Sequence, residues 1–101
     1  MNSDSLPGLS IVICTDGRAE ALACTLSALD YLDYAAFEVI VVCGPTLDGT
    51  DRVLQDYDGR VKIARNAERN LSISRNLGIR LARGDIVAFL DDDAIPEPNW
   101  L

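Results

Sequence analysis

Three consecutive aspartates, Asp91-Asp92-Asp93, stand directly after the apolar run Ile86-Val87-Ala88-Phe89-Leu90. Carboxylates this close repel one another unless a cation sits among them, and a divalent metal ion relieves that repulsion. Donors that are all oxygen select Mg²⁺ or Mn²⁺, ions that commonly keep one or two protein carboxylates while bridging the phosphates of a substrate. The alternative for such a triplet is a solvated acidic loop that caps a helix. At the end of a hydrophobic strand the metal reading takes precedence.

A second constellation is cationic. Arg65, Arg69, Arg75, Arg80 and Arg83 cluster around one helical segment. Arg69-Asn70 and Ser72 fall at its start, where free backbone amides and the helix dipole favour an anion. Arg75, one turn further in, suits a charge-assisted contact with a diphosphate. An ordinary solvated helix face is the competing reading for Arg69 and Arg75, and the preferred one for Arg80 and Arg83.

Other chemistries are excluded by what the chain lacks. Its 101 residues contain no histidine, so Ser/His/Asp and Cys/His nucleophilic sites and His-ligated zinc are ruled out within it. Thr15-Asp16-Gly17-Arg18 stands where a dinucleotide-binding GxGxxG would follow the first strand, and no GxxxxGK[ST] occurs. The formal net charge of −7 argues against nucleic acid as a partner, because phosphate binding needs a basic surface. Cys14, Cys24 and Cys43 include no CxxC pair, which suits reduced thiols buried by packing. No apolar stretch approaches the roughly 20 residues of a membrane span. The first seven residues lack the basic and apolar regions of a secretory signal, so a cytoplasmic location is expected.

The elements that must position these residues follow from periodicity. With 49% hydrophobic residues the chain can build one small core. Leu9-Ser10-Ile11-Val12-Ile13-Cys14-Thr15 and Phe37-Glu38-Val39-Ile40-Val41-Val42-Cys43 read as strands covered on both faces. Leu22, Leu26 and Leu29 mark a helix over about residues 19–32. Capping oxygens at Asp48, Thr50 and Asp51 precede a short helix with Val53, Leu54 and Tyr57, closed by Asp58-Gly59. Val61-Lys62-Ile63-Ala64 alternates like an edge strand. Ser72 is the expected cap of a third helix carrying Ile73, Leu77 and Leu81, with Arg83 in its last turn and Gly84 at C′. The fourth strand, 86–90, leads into the aspartates. Strands alternating with helices imply an α/β fold, a Rossmann-like, mostly parallel sheet with flanking helices. Ligands of such sheets bind beyond the carboxyl ends of the strands, which puts loops 15–18, 43–50, 65–72 and 91–95 on one rim.

Five segments, Ser10-Ile11-Val12-Ile13-Cys14-Thr15, Phe37-Glu38-Val39-Ile40-Val41-Val42, Asp48-Gly49-Thr50, Ser74-Arg75-Asn76-Leu77-Gly78-Ile79 and Val87-Ala88-Phe89-Leu90-Asp91-Asp92-Asp93, together resemble the N-terminal half of family 2 glycosyltransferases with the GT-A fold. The resemblance implies an inverting transferase that takes a sugar from a nucleotide-diphosphate sugar to an acceptor hydroxyl, saccharide or lipid-linked, with Mn²⁺ or Mg²⁺ as cofactor. It makes the aspartates the DxD motif: Asp91 and Asp92 face ribose and metal, Asp91 and Asp93 hold the metal, and Arg75 approaches the diphosphate. Thr15 and Gly44 join the donor-binding set. The chain departs from the family at Thr15-Asp16-Gly17-Arg18 and at Cys43-Gly44-Pro45-Thr46, where an aromatic and a base-reading aspartate are usual, leaving backbone groups at Gly44 to hydrogen-bond a nucleobase. Ser72 stands where glycine is common. In the family the catalytic base lies in the second half of the domain, so residues 1–101 read as one nucleotide-sugar-binding domain cut short at its C-terminus, inactive alone and prone to self-associate through an exposed fourth strand. A Mg²⁺-binding phosphoacceptor module of the receiver type is the rival; it needs acidic residues on the first strand and a late lysine, and the only lysine in the chain is Lys62.

Overall fold

A computed structural model describes residues 8–32, 34, 36–45, 49–57 and 60–97. Among the described residues four strands and three helices alternate: β1 (Leu9–Thr15), α1 (Ala19–Leu29), β2 (Phe37–Cys43), α2 (Thr50–Gln55), β3 (Lys62–Arg65), α3 (Leu71–Leu81) and β4 (Ile86–Asp91). All four strands are parallel, in the order β3-β2-β1-β4. The chain therefore winds outward from β1 through β2 to β3, then crosses back over the sheet to place β4 on the other side of β1. Right-handed crossovers taken in opposite directions put their helices on opposite faces. Accordingly, Leu22, Leu26 and Leu29 of α1 and Leu54 of α2 pack on Ile11, Ile13, Val39 and Val41, while Leu77 of α3 packs on Val12, Ile40 and Val42. The alternation of β1 and β2 residues between two apolar layers is why those strands read as continuous hydrophobic runs. No helix among the described residues is long and apolar enough to cross a membrane.

Several boundaries differ from the sequence reading. The first helix ends at Leu29, not near residue 32. In α2, Thr50 and Asp51 lie inside the helix and Gly49 is the N-cap, with a left-handed φ of 100° and no side-chain cap; Asp48, Asp58 and Gly59 lie outside the described residues. Asn70, not Ser72, caps α3, its side chain accepting a hydrogen bond from the Ile73 amide. Gly84 is not a left-handed C′ residue: α3 stops at Leu81, and a Cβ on Gly84 would fall 2.8 Å from the backbone of Gly8, Leu9 and Ser10. Close approach of the α3–β4 turn to β1 is what requires glycine there. The fourth strand is an edge strand whose Ile86 and Phe89 are exposed, the exposed fourth strand that the sequence reading expected. The third strand is the other edge, as its alternation suggested.

The amino-terminal end of the sheet is tied by one carboxylate. Glu38 of β2 accepts bonds at Oε2 from Ser10 Oγ and the Arg83 amide, both 2.6 Å, and its Oε1 lies 2.7 Å from Lys62 Nζ. Partial burial opposes ionisation of Glu38, but these donors outweigh it and hold the carboxyl at about 2, below its ordinary 4.5. A carboxylate with a depressed folded-state pKa contributes stability that is fully present above the unfolded value and is lost as pH falls through the folded one. Stability should therefore decline between about pH 5 and pH 2 by roughly 2 kcal/mol through this group, allowing for its partial exposure. Denaturant titrations of Glu38→Gln beside the parent check this: the two stability profiles should converge toward pH 2 and separate above pH 5.

Candidate functional site

The reversal of strand order between β1 and β4 leaves a crevice beyond their carboxyl ends, the place where open α/β sheets bind ligands. Cys14 pairs with Asp91 in register, so the residues that follow both strands emerge side by side. Together with the start of α3 they line a cleft of about 540 Å³. Thr15, Gly44, Arg75, Asp91, Asp92 and Asp93 all lie on its wall, as do Asp16, Arg18 and Arg69. The six residues singled out from the sequence are thus brought to one cavity, although they come from four separate segments.

The three aspartates do not behave alike. Asp91 and Asp93 are exposed, whereas Asp92 is buried. Its Oδ2 accepts a 2.9 Å bond from Thr15 Oγ1, and its backbone carbonyl accepts from the fully buried Thr25 Oγ1 at 2.9 Å. Thr25 also bonds the Ala94 carbonyl at 2.7 Å, so α1 fixes the backbone on both sides of Asp93. The repulsion expected within the triplet is met by a cation that sequence reasoning left unassigned: the Arg18 guanidinium lies 3.4 Å from Asp92 Oδ1 and 2.8 Å from Asp93 Oδ2. The Asp92 carboxylate is thus taken up by Thr15 and Arg18, which ties the aspartate loop to the end of β1 and the start of α1.

The opposite wall is built by α3 and the loop before it. Asn66 is buried there; its Nδ2 donates to Ser74 Oγ and the Asn70 carbonyl at 3.0 and 3.2 Å, and its Oδ1 accepts from the Glu68 amide. This bracket sets where α3 begins, and a short polar side chain with both donor and acceptor is what it requires. Arg69 Nε meets Asp16 Oδ2 at 3.0 Å, joining the β3–α3 loop to the β1–α1 loop. With the Ile73 amide already bonded to Asn70, the helix terminus is less open to an anion than the sequence suggested. Arg75 projects into the cleft over the Phe89 ring, 5.6 Å from its centre, and forms no ion pair among the described residues. The other cations face elsewhere: Arg65 pairs with Asp51, and Arg80 and Arg83 are exposed away from the cleft.

At the floor, Gly44 donates its amide to the Thr15 carbonyl at 2.7 Å. That amide is therefore taken up within the protein, which narrows the sequence expectation for the backbone groups of Gly44 to its carbonyl. A Cβ on Gly44 would fall 2.7 Å from Asp16 Cγ, so glycine is what lets the Asp16 carboxylate sit over the end of β2. The cysteines correct a second expectation: Cys43 is buried, but Cys14 is half-buried on the cleft wall and Cys24 is exposed on α1. Burial pushes the Cys14 thiol up, with Arg75 pulling it down and Asp92 adding to the rise.

Among the described residues no three His, Cys, Asp or Glu side chains converge on a common metal position. The donors present nevertheless fit a hard divalent cation, which is content with one or two carboxylates and fills its shell from phosphate and water oxygens. Asp91 and Asp93 supply such oxygens at the cleft. Five carboxylates line the cavity against three guanidiniums, so a diphosphate would enter an already anionic space unless a cation came with it. Lys62, the only lysine open to the receiver-type rival, is tied to Glu38 at the amino-terminal end of the sheet and does not line this cleft.

Residues 10–101 match the family model described as glycosyl transferase family 2. The chain is 34% identical over 98 residues to glucosyl-dolichyl phosphate glucuronosyltransferase of Haloferax volcanii, covering 92% of this chain and 31% of that protein. Its fold is similar to that of the mannosyltransferase PcManGT from Pyrobaculum calidifontis, solved in complex with GDP-Man and Mn²⁺, at a TM-score of 0.82 and 24% identity over 89% of this chain and 28% of that one. S. aureus TarS 1-349, solved in complex with UDP-GlcNAc, gives a TM-score of 0.79 at 22% identity over 90% of this chain and 28% of that one. The chain thus spans less than a third of the length of each of these proteins.

Proposed function

The chain belongs to glycosyl transferase family 2, and from that premise we propose that its cleft binds the nucleotide-diphosphate sugar donor of a metal-dependent, inverting glycosyltransferase. The observation that carries this reading is the convergence of Arg75 and the Asp91–Asp93 loop on one cavity at the strand-order reversal. Relatives of the same fold solved with GDP-Man and Mn²⁺ and with UDP-GlcNAc support it.

Arg75 receives the diphosphate. Its guanidinium faces the cleft without a carboxylate partner among the described residues, so binding a phosphate breaks no existing ion pair. Asp91 and Asp93 are the residues that would hold the cation. When bound, that cation would neutralise the charge that builds on the departing diphosphate. Asp92, Thr15 and Thr25 keep the loop in place beneath them. Inversion at the anomeric carbon requires an acceptor hydroxyl to attack from the face opposite the diphosphate while a base takes its proton. Arg75 and the aspartate loop bind and position the donor, and the proton falls to a different residue.

Arg75→Ala tests the reading. Charge-assisted contacts are worth about 1.5–3 kcal/mol, so the variant should bind UDP or GDP roughly tenfold or more weakly while binding of the corresponding nucleoside changes little. Ligand-detected NMR titrations measure both. Equal losses for diphosphate and nucleoside would show that Arg75 does not contact the phosphates.

A further inference from the structure

Arg18 is the N-cap residue of α1, yet its side chain makes no cap hydrogen bond. It reaches instead to the neighbouring aspartate loop, to residues 74 and 75 positions away in sequence, Asp92 and Asp93. It follows Gly17, whose φ of 73° lies in the left-handed region and turns the chain sharply so that the guanidinium faces the acidic loop. The two contacts differ in character. Asp92 is nearly sealed from water, with 8% of its side chain exposed, whereas Asp93 is 52% exposed and Arg18 51%. An exposed pair of this kind is held weakly and breaks readily.

Resting on the donor-binding reading above, we infer that Arg18 is an exchangeable internal counter-ion. Its guanidinium holds the Asp93 carboxylate, competes with a divalent cation for it, and trades that bond for the donor's diphosphate when donor and cation bind together. The bond to buried Asp92 is the pivot about which the exchange occurs. The consequence is ordered recognition. A cation alone meets an Asp93 carboxylate already neutralised by arginine, whereas a cation arriving with a diphosphate finds Arg18 drawn away to the phosphates. Coupling between the two ligands is then built into one side chain, and binding of either must favour the other by the same factor.

Mn²⁺ binding measured by calorimetry on the parent, Arg18→Gln and Arg18→Lys, first without nucleotide and then with UDP or GDP, tests the proposal. Arg18 is half exposed, so neither substitution removes a core contact. Loss of a unit positive charge within one ion-pair distance of Asp93 should tighten Mn²⁺ binding to Arg18→Gln alone by roughly three- to tenfold and weaken its binding of the nucleoside diphosphate in Mn²⁺ by a similar factor. Arg18→Lys, which keeps the charge, should bind Mn²⁺ alone as the parent does. Weakening of both ligands together in Arg18→Gln would show that Arg18 merely braces the loop, and unchanged binding of both would show that it does neither; either result overturns the proposal. If the parent bound no nucleoside diphosphate, the donor reading and the exchange to phosphate would both fall, while the Mn²⁺ comparison would still decide whether Arg18 competes for Asp93.

Discussion

Replacing Gly78 with alanine should destabilise the protein, although alanine is by about 1 kcal/mol the better helix former. Gly78 lies on the buried side of α3, and a Cβ at that position would overlap the γ-carbons of Val12 in β1. Overpacking a tight contact costs about 1–3 kcal/mol, more than the propensity gain can offset. Leucine there should be far worse, because it must lift α3 from the sheet and open the layer formed by Val12, Ile40, Val42 and Leu77. In a domain of about this size each kcal/mol lowers the melting temperature by roughly 4–8 °C. Thermal unfolding of Gly78→Ala should therefore show a clear drop, partly restored by Val12→Ala in the double variant, since removal of the γ-carbons makes room for the methyl group. A rise in melting temperature on Gly78→Ala would mean that α3 does not approach β1 this closely.

Loss of the Asp92 carboxylate should harm both folding and binding. In Asp92→Ala the Thr15 hydroxyl, in a residue only 6% exposed, loses the acceptor it bonds at 2.9 Å. An unsatisfied buried donor costs about 1–3 kcal/mol, and the Arg18 charge, being half exposed, adds little because water can solvate it. The backbone bonds from Thr25 remain, but Asp91 and Asp93 lose the anchor between them. Nucleoside diphosphate affinity in Mn²⁺ should fall roughly tenfold, about what one mispositioned charged contact is worth. Asp92→Asn can still accept from Thr15 through its amide oxygen and should retain most of the stability while losing the attraction to Arg18. Chemical denaturation and calorimetry on the two variants separate these effects; parental stability in Asp92→Ala would show that the Thr15–Asp92 bond does not hold the loop.

The order of elements was legible because β1, β2 and the stripes Leu22-Leu26-Leu29 and Leu77-Leu81 carry their periods openly. Convergence of Thr15, Gly44, Arg75 and the aspartates followed from a topological rule, since parallel strands deliver their following loops to one rim. Exposure of Cys24 was within reach of the same reasoning: a buried stripe of Leu22, Thr25, Leu26 and Leu29 leaves position 24 on the far side of the helix. Other features lay beyond it. Asn70 and Ser72 are both capping types two residues apart, and the anchoring of the preceding loop by Asn66 decides between them. The links Arg18–Asp93, Arg69–Asp16 and Thr15–Asp92 join residues more than fifty positions apart, and no local pattern encodes such pairs. Gly78 and Gly84 look like ordinary helix and turn glycines until β1 is placed against them. The exposed edge expected at 86–90, by contrast, is present, with β4 paired to β1 alone among the described residues.

Binding of a nucleoside diphosphate and a divalent cation to the cleft as linked ligands is tested most directly by calorimetry. UDP and GDP are titrated into the parent chain with Mn²⁺ or Mg²⁺ present, and again with the cation chelated. Binding should tighten roughly tenfold or more when the cation is present, with a reciprocal gain in cation affinity when the nucleotide is present. Equal affinity with and without the cation, or no binding of either nucleotide under both conditions, would contradict the linkage.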